Sequence, residues 1–405
     1  MMNKIPKGWE VKKLGDIAIT SSGGTPLRTH SEYWNGNIKW LKISDLNDSL
    51  IDNSDEFITE IGLKNSSAKI LKKGTLLVAM YGSIGKLGIL NTEATTNQAI
   101  CAIINKKDKK FEIKFLFYFF MSAKEKMLNE SFGGVQKNIS QTYLKNLEIP
   151  LPNLTEQKAI VDKLDDSFAK IENAITNLIN AKENLKLYKQ SVLKSAFNGD
   201  LLPNTSPTHW EVKKLGEIFN VIGGGTPNTN NAEFWGGNIS WISSADIDKE
   251  NFNAIPRKFI TENAIQNSAT NLVPKNTIIV VTRVGLGKVA ITKEPMCFSQ
   301  DSQALIPFEK INVKFMAYQI KQIAQNFINI SRGTTINGIT KQNLKDCKIC
   351  VPPLSEQNLI VAEIDRRFAI VDKTLNLIDK SIQNAKNLKQ SILKKAFSGE
   401  LRSDI

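Results

Sequence analysis

The chain repeats itself once, and that repeat limits what it can fold into. Trp9-Glu10-Val11-Lys12-Lys13-Leu14-Gly15 returns as Trp210-Glu211-Val212-Lys213-Lys214-Leu215-Gly216, an offset of 201. At the same offset Gly24-Thr25-Pro26 matches Gly225-Thr226-Pro227, Trp34 matches Trp235, and Trp40 matches Trp241. Gly85-Lys86 returns one residue later as Gly287-Lys288, and Glu156-Gln157 returns at offset 200 as Glu356-Gln357. Two copies of about 200 residues account for essentially all of the 405, so the expected architecture is a duplication with an approximate two-fold relation.

Each copy has two differently patterned parts. The first, 1–153 and 202–353, holds short apolar runs broken by Gly, Pro, Asn and Asp, the signature of a mixed α/β globule. Leu76 to Met80 and Thr277 to Val281 read as buried strands, whereas Phe115 to Met127 and Phe315 to Phe327 read as helices. The second part, 154–201 and 354–405, is one long helix in each copy. Apolar residues recur at Val161, Leu164, Phe168, Ile171, Ile175 and Leu178, and again at Val361, Ile364, Phe368, Val371, Leu375 and Ile378. Steps of three and four sustained this long are a coiled-coil pattern. Thr155 and Ser355 are the expected capping residues at the start; Gly199 and Gly399 mark the ends. Such a helix spans roughly 60 Å at about 1.5 Å per residue. Neither could bury its seam alone, and the simplest partner for one is the other, paired antiparallel.

The net charge of +13 suits a polyanionic partner. Residues 156–200 are charge-neutral and residues 356–401 carry +2, so +11 sits in the globules. Polar, glycine-rich loops near Lys or Arg are the candidate contacts, because glycine admits a phosphate close to backbone and Arg, Asn, Gln and Lys read base edges. In copy one they present Thr25, Arg28, Lys42, Tyr81, Ser83, Lys86, Gln136, Lys137 and Asn138. In copy two they present Thr226, Ser243, Arg283, Lys288, Arg332 and Asn337. Each residue could equally serve only its turn. The copies differ here, with Arg28 replaced by Thr229, Lys42 by Ser243 and Tyr81 by Arg283, as two readers of different sequences require.

Catalytic signatures do not assemble. The Gly82 to Lys86 run lacks P-loop spacing, two histidines (His30, His209) allow no His-based cluster, and Cys347-Lys-Ile-Cys350 is a lone CxxC with no second pair for zinc. The N-terminal residues show no secretory signal and no apolar run approaches a membrane span, so the chain is expected to be cytoplasmic. Two other readings remain open at this stage: a DNA methyltransferase or nuclease with an unrecognised site, and a coiled-coil adaptor for another acidic partner.

The order of these motifs resembles a known family. Two variable globules each open with Trp-x-x-x-x-Leu-Gly, carry a Gly-Thr-Pro loop and a Trp-rich segment, and close at 149–157 or 349–357 before a helix ending Leu-Lys-x-Ala-Phe-x-Gly-x-Leu. The whole chain is similar to type I restriction–modification specificity subunits. That resemblance implies two target recognition domains, each reading half of a split sequence in double-stranded DNA. It implies helices that act as spacer and dock two methyltransferase subunits, with restriction–translocase subunits joining the larger complex. S-adenosylmethionine, ATP and Mg²⁺ would belong to those partners, and this chain would be non-catalytic with no cofactor of its own.

Overall fold

The computed structural model describes residues 5–106, 111–132, 137–203, 209–331 and 338–401. It divides into two compact units: unit 1 is 1–180 with 378–405, and unit 2 is 181–377. Each unit therefore combines a globule with the first half of one long helix and the second half of the other. An N-terminal half meeting a C-terminal half is what antiparallel pairing requires.

In unit 1 the strands are β1 (Glu10–Lys13), β2 (Ala18–Ser22), β3 (Trp34–Leu41), β4 (Ser49–Ile51), β5 (Glu56–Ile58), β6 (Leu76–Ala79), β7 (Leu87–Leu90), β8 (Thr95–Thr96), β9 (Ile100–Asn105) and β10 (Glu148–Leu151). They form a five-stranded sheet ordered β2-β9-β6-β7-β4, a three-stranded sheet β5-β3-β8, and the pair β1-β10. Strand β6 is buried at every position, as its unbroken Leu-Leu-Val-Ala run demands of a central strand. Unit 2 repeats the plan with β11 (Glu211–Lys214), β12 (Phe219–Gly223), β13 (Trp235–Ile242), β14 (Lys258–Ile260), β15 (Ile278–Val281), β16 (Val289–Ile291), β17 (Cys297–Phe298), β18 (Ser302–Pro307) and β19 (Lys348–Val351). Its main sheet has four strands, β12-β18-β15-β16; among the described residues no counterpart of β4 forms.

The helices expected at Phe115–Met127 and Phe315–Phe327 are Ile113–Asn129 and Val313–Ser331. Each lies against a long helix through one carboxylate. Lys114 Nζ reaches Asp165 at 2.7 Å and Tyr118 donates its hydroxyl to the same side chain. Lys314 and Tyr318 repeat this on Asp365 at 2.7 and 3.1 Å.

The long helices run Leu154–Phe197 and Leu354–Ser398. Within unit 1, Leu393 and Ala396 enter the same core as Leu164, Phe168 and Ile171, and Lys389 bridges to Glu172 at 2.7 Å. Within unit 2, Val192 and Ala196 join the core of Val361 and Ile364, and Lys189 bridges to Asp372 at 2.5 Å. The helix starts differ from the expectation. Asn153, one residue before the first helix, accepts the Glu156 N–H at 3.0 Å, so Thr155 lies inside the first turn and is not the cap. Ser355 likewise lies inside the second helix, which begins at Leu354 after Pro353. The ends are as expected, with Gly199 and Gly399 both at φ 79, the left-handed conformation that stops a helix.

The repeated Trp and Glu-Gln motifs prove architectural. Trp9 Nε1 donates to Glu156 at 2.9 Å and Trp210 Nε1 to Glu356 at 3.0 Å, tying each globule's first strand to its following helix. Gln157 and Gln357 each accept a backbone N–H and donate to a proline carbonyl, satisfying buried groups where strand, loop and helix meet.

Candidate nucleic-acid interface

In unit 1 the candidate loops, far apart in sequence, converge on the short connection Asn97–Ala99 between β8 and β9. Gly24 N–H donates to Thr96 O at 2.9 Å, Asn97 N–H to Leu41 O at 2.9 Å, and Met80 N–H to Ala99 O at 2.8 Å. Ile139 N–H then donates to Met80 O at 2.9 Å, and Tyr81 pairs with Asn138. Thr25, Lys42, Tyr81, Ser83, Lys137 and Asn138 thus surround one hub. At its centre the Thr25 hydroxyl donates to Gln98 Oε1 at 2.5 Å, and both side chains are exposed.

Unit 2 builds the same hub from Ser299–Asp301. Gly225 N–H donates to Phe298 O at 2.9 Å and Ser299 N–H to Ile242 O at 2.9 Å. Thr282 and Arg283 both donate their N–H groups to Asp301 O, at 2.8 and 3.2 Å. Thr226 bonds Gln300 as Thr25 bonds Gln98. Gln136, Arg332 and Asn337 lie outside the described residues.

A pair of tryptophans supports each hub. Trp34 and Trp40 meet edge to face at 5.0 Å, and Trp235 and Trp241 at 5.4 Å. The inner tryptophan donates Nε1–H to the loop glycine carbonyl, Trp40 to Gly24 at 2.8 Å and Trp241 to Gly225 at 3.1 Å. At position 24 the glycine has a packing reason of its own. A Cβ on Gly24 would lie 2.2 Å from Ser67 Oγ and 2.6 Å from Ala68 N, so the position is glycine because another loop already fills that space.

What sits on the tryptophans differs between the units. In unit 1 the Arg28 guanidinium lies 3.7 Å from the Trp34 ring centroid and bonds Glu56 at 2.5 Å. Lys42 bonds the other oxygen of Glu56 at 2.7 Å. Hydrogen bonds from Arg28, then Lys42, hold the Glu56 carboxyl below the usual carboxylate range. In unit 2 Thr229 and Ser243 replace both cations. Lys258, opposite Trp241 as Glu56 is opposite Trp40, extends its amine to 5.4 Å from the Trp235 centroid. Asp246 accepts from the Ser243 N–H and hydroxyl, each at 2.8 Å, and from Arg257 at 2.5 Å. Burial pushes that carboxyl up, but the Ser243 N–H, Arg257 and the Ser243 hydroxyl outweigh it and hold it low. Each unit thus offers a cation over an aromatic pair, supplied by a different strand or loop.

The two loop lysines are less free than the exposed candidates. Lys86 Nζ donates to Ile43 O at 3.4 Å and Lys288 Nζ to Ser244 O at 2.8 Å, and both are half-buried. Sequence reasoning missed Gln98 and Gln300, which recur at offset 202 just after the short strands; that recurrence was the available signal. It also missed Val284, beside Arg283 and 69% exposed, an apolar side chain at a polar loop tip.

Nothing in the cysteines suggests chemistry. Cys101 is fully buried, which pushes its thiol up to about 12, and burial pushes Cys297 and Cys347 to about 11. Among the described residues no group of three or more His, Cys, Asp or Glu could hold a metal ion, and no helix is long and apolar enough to cross a membrane.

The sequence profile described as the type I restriction modification DNA specificity domain matches residues 6–181 and again 207–385. The MjaIX specificity subunit of a type I restriction enzyme from Methanocaldococcus jannaschii is 28% identical across 99% of this chain and 95% of its own. The EcoKI specificity subunit of Escherichia coli K12 is 24% identical across 98% of this chain and 90% of its own. Among solved structures, a chain from a study of assembly and conformational transition of the type I R-M system superposes with TM-score 0.79 at 21% identity. It covers 98% of this chain and 99% of that one. The HsdS subunit from Thermoanaerobacter tengcongensis gives 0.62 at 20% identity, covering 98% and 99%. At those identities the superpositions speak for the fold.

Proposed function

This chain belongs to the type I restriction modification DNA specificity family, and on that premise we propose that it reads a bipartite DNA target, one half with each hub. The observation that carries the proposal is the pairing of sameness and difference in the two units. The tryptophan pair, the Gly-Thr-Pro turn and the Thr–Gln couple recur, while the side chains around them change from Arg28, Lys42 and Tyr81 to Thr229, Ser243 and Arg283. A common frame with different donors and acceptors is what reading two different base sequences requires.

The exposed candidates divide by chemistry. Arg28 and Arg283 suit guanine edges, Gln98 and Gln300 suit adenine, and Val284 suits a thymine methyl. Thr25, Thr226, Ser83 and Lys137 reach phosphates or base edges beside them. Lys42, Ser243, Asn138, Tyr81, Lys86 and Lys288 hold the loops and shape the same surface. Gln136, Arg332 and Asn337 complete the reading sets from outside the described residues. The paired long helices set the number of base pairs between the halves and dock two methyltransferase subunits, to which restriction–translocase subunits add. S-adenosylmethionine, ATP and Mg²⁺ act in those partners, in the cytoplasm, and this chain contributes no catalysis.

The test is selection from a random duplex pool by this chain assembled with its methyltransferase subunits. Enrichment of two short motifs at fixed separation supports the reading, with log K falling linearly as log salt rises. Enrichment of no motif, or methyl transfer by the purified chain alone, overturns it.

A further inference from the structure

One concavity in unit 2 lies outside the hub and opens beside it. It is a groove of about 1400 Å³, walled on one side by Leu286 and Gly287 of the loop that presents Arg283. Its floor carries Phe252 and Tyr318, stacked edge to face at 4.8 Å, and it ends against the long helices at Phe368. The groove exists where unit 1 has β4. There Ser49–Ile51 pairs with β7, whereas in unit 2 the matching segment turns back on itself, Asp248 N–H donating to Asn253 O at 3.0 Å.

The lining is strongly cationic. Seven lysines line it against three acids, Glu250, Asp365 and Asp372, of which Asp365 and Asp372 are already taken by Lys314 and Lys189, at 2.7 and 2.5 Å. Lys249, Lys275 and Lys293 are exposed and make no hydrogen bond or ion pair among the described residues. Lys321 is half-buried, its amine 2.8 Å from the Glu250 carbonyl oxygen and 5.5 Å from the Phe252 ring centroid. Burial lowers its pKa, so an arriving anion would restore favourable surroundings to its charged form. The repeat places Asp48, Asn91 and Met121 in unit 1 where unit 2 has Lys249, Lys293 and Lys321, a swing of four charges. Asp48 moreover bonds Lys124 at 3.7 Å.

We propose that this groove grips the phosphate backbone of the DNA leaving the unit 2 hub, a contact that unit 1 lacks. The inference rests on the DNA-reading proposal above. Two features favour DNA over an acidic protein segment. The groove begins at the loop that presents Arg283, where a backbone must pass if that loop reads bases. Identical partners docking on a duplicated chain need like surfaces in both units, and these surfaces differ by four charges. Lysines on flexible stems suit phosphates as point charges. Grip on one side would anchor the complex asymmetrically on a split target.

The experiment compares K249Q/K275Q/K293Q with a control, K72Q/K310Q/K348Q, which removes equal charge from exposed positions outside the hubs, the groove and the long helices. Both are assembled with methyltransferase subunits and titrated on a duplex carrying the selected motif across a range of salt. Each phosphate contact contributes about 0.9 to the slope of log K against log salt, so the groove variant should be shallower by about 2 to 3 while selecting the same motif. The control should keep the wild-type slope. A groove variant with unchanged slope, or one that loses methyltransferase subunits while keeping its slope, overturns the backbone contact and leaves the DNA-reading proposal standing. Absence of any salt-dependent DNA binding in the wild-type complex would instead remove the reading on which the contact rests.

Discussion

Arg28→Thr places in unit 1 the residue that unit 2 carries at the matching position, Thr229. The Arg28 side chain is 55% exposed, so its bridge to Glu56 is worth about 0 to 1 kcal/mol and its stacking on Trp34 about 0.5 to 1 kcal/mol. Lys42 stays 2.7 Å from Glu56, so the carboxylate is not stranded. The fold should lose about 1 kcal/mol, a melting shift of about 2 to 4 °C for a unit of this size. Recognition should suffer more. Loss of a bidentate arginine contact removes about 1 to 3 kcal/mol of discrimination, roughly 5- to 150-fold at one base pair. Calorimetry gives the first quantity; binding of the assembled complex to duplexes varied through each half-site gives the second. Relaxed preference at one position of one half-site, with the other half unchanged, is the expected outcome. Equal weakening on every sequence would mean that Arg28 touches only backbone, and no change at all would place the Trp34 platform away from the DNA.

Gly24→Ala should destabilise unit 1 strongly or move the Gly-Thr-Pro loop, because the new Cβ meets Ala68 N at 2.6 Å; Gly236→Ala, in open space at φ +80, should cost only local strain, and thermal melts of the two compare them. Trp9→Phe removes a hydrogen bond to Glu156 and should cost about 1.5 to 3 kcal/mol in denaturant titration, with little effect on which bases are read. Glu56, held low by Arg28 and Lys42, should stabilise unit 1 fully above the ordinary carboxylate pKa and lose that contribution as pH falls through its depressed folded value. Glu56→Gln should therefore flatten the acid limb of stability against pH. Thiol alkylation near neutral pH should spare the fully buried Cys101 and Cys297 until unfolding and reach the half-buried Cys350 before Cys347, whose thiol is pushed by burial up to about 11, as a time course by mass spectrometry would show.

Much of this was legible in the sequence because it depends on local pattern. The offset of the repeated motifs located two like units, the run Leu76 to Ala79 announced a central strand, and the three-and-four spacing announced the long helices. What escaped depends on residues distant in sequence. The hub exists because Leu41 at the end of β3, Met80 just after β6 and the loop at Gly24 all hydrogen-bond to the stretch 96–99, so Gln98 carries no local mark of its place there. The capping residue Asn153 sits behind an expected cap at Thr155 because the helix begins at Leu154, two residues after Pro152. Gly23 and Gly24 stand out in the sequence, but the atoms that require them, Thr96 O of β8 and Ser67 Oγ of another loop, are distant along the chain. The unit 2 groove follows from a strand that forms in one copy and not the other, a difference in pairing that one sequence read alone does not display.

The most direct test of bipartite reading is a methylation map of DNA from cells expressing this chain with its methyltransferase subunits, set against cells expressing the methyltransferase subunits alone. A split motif methylated only when this chain is present, and altered in one half by Arg28→Thr, is the expected result. A complex shown to assemble and bind methyl donor that leaves no new methylation, or a motif that appears without this chain, would contradict it.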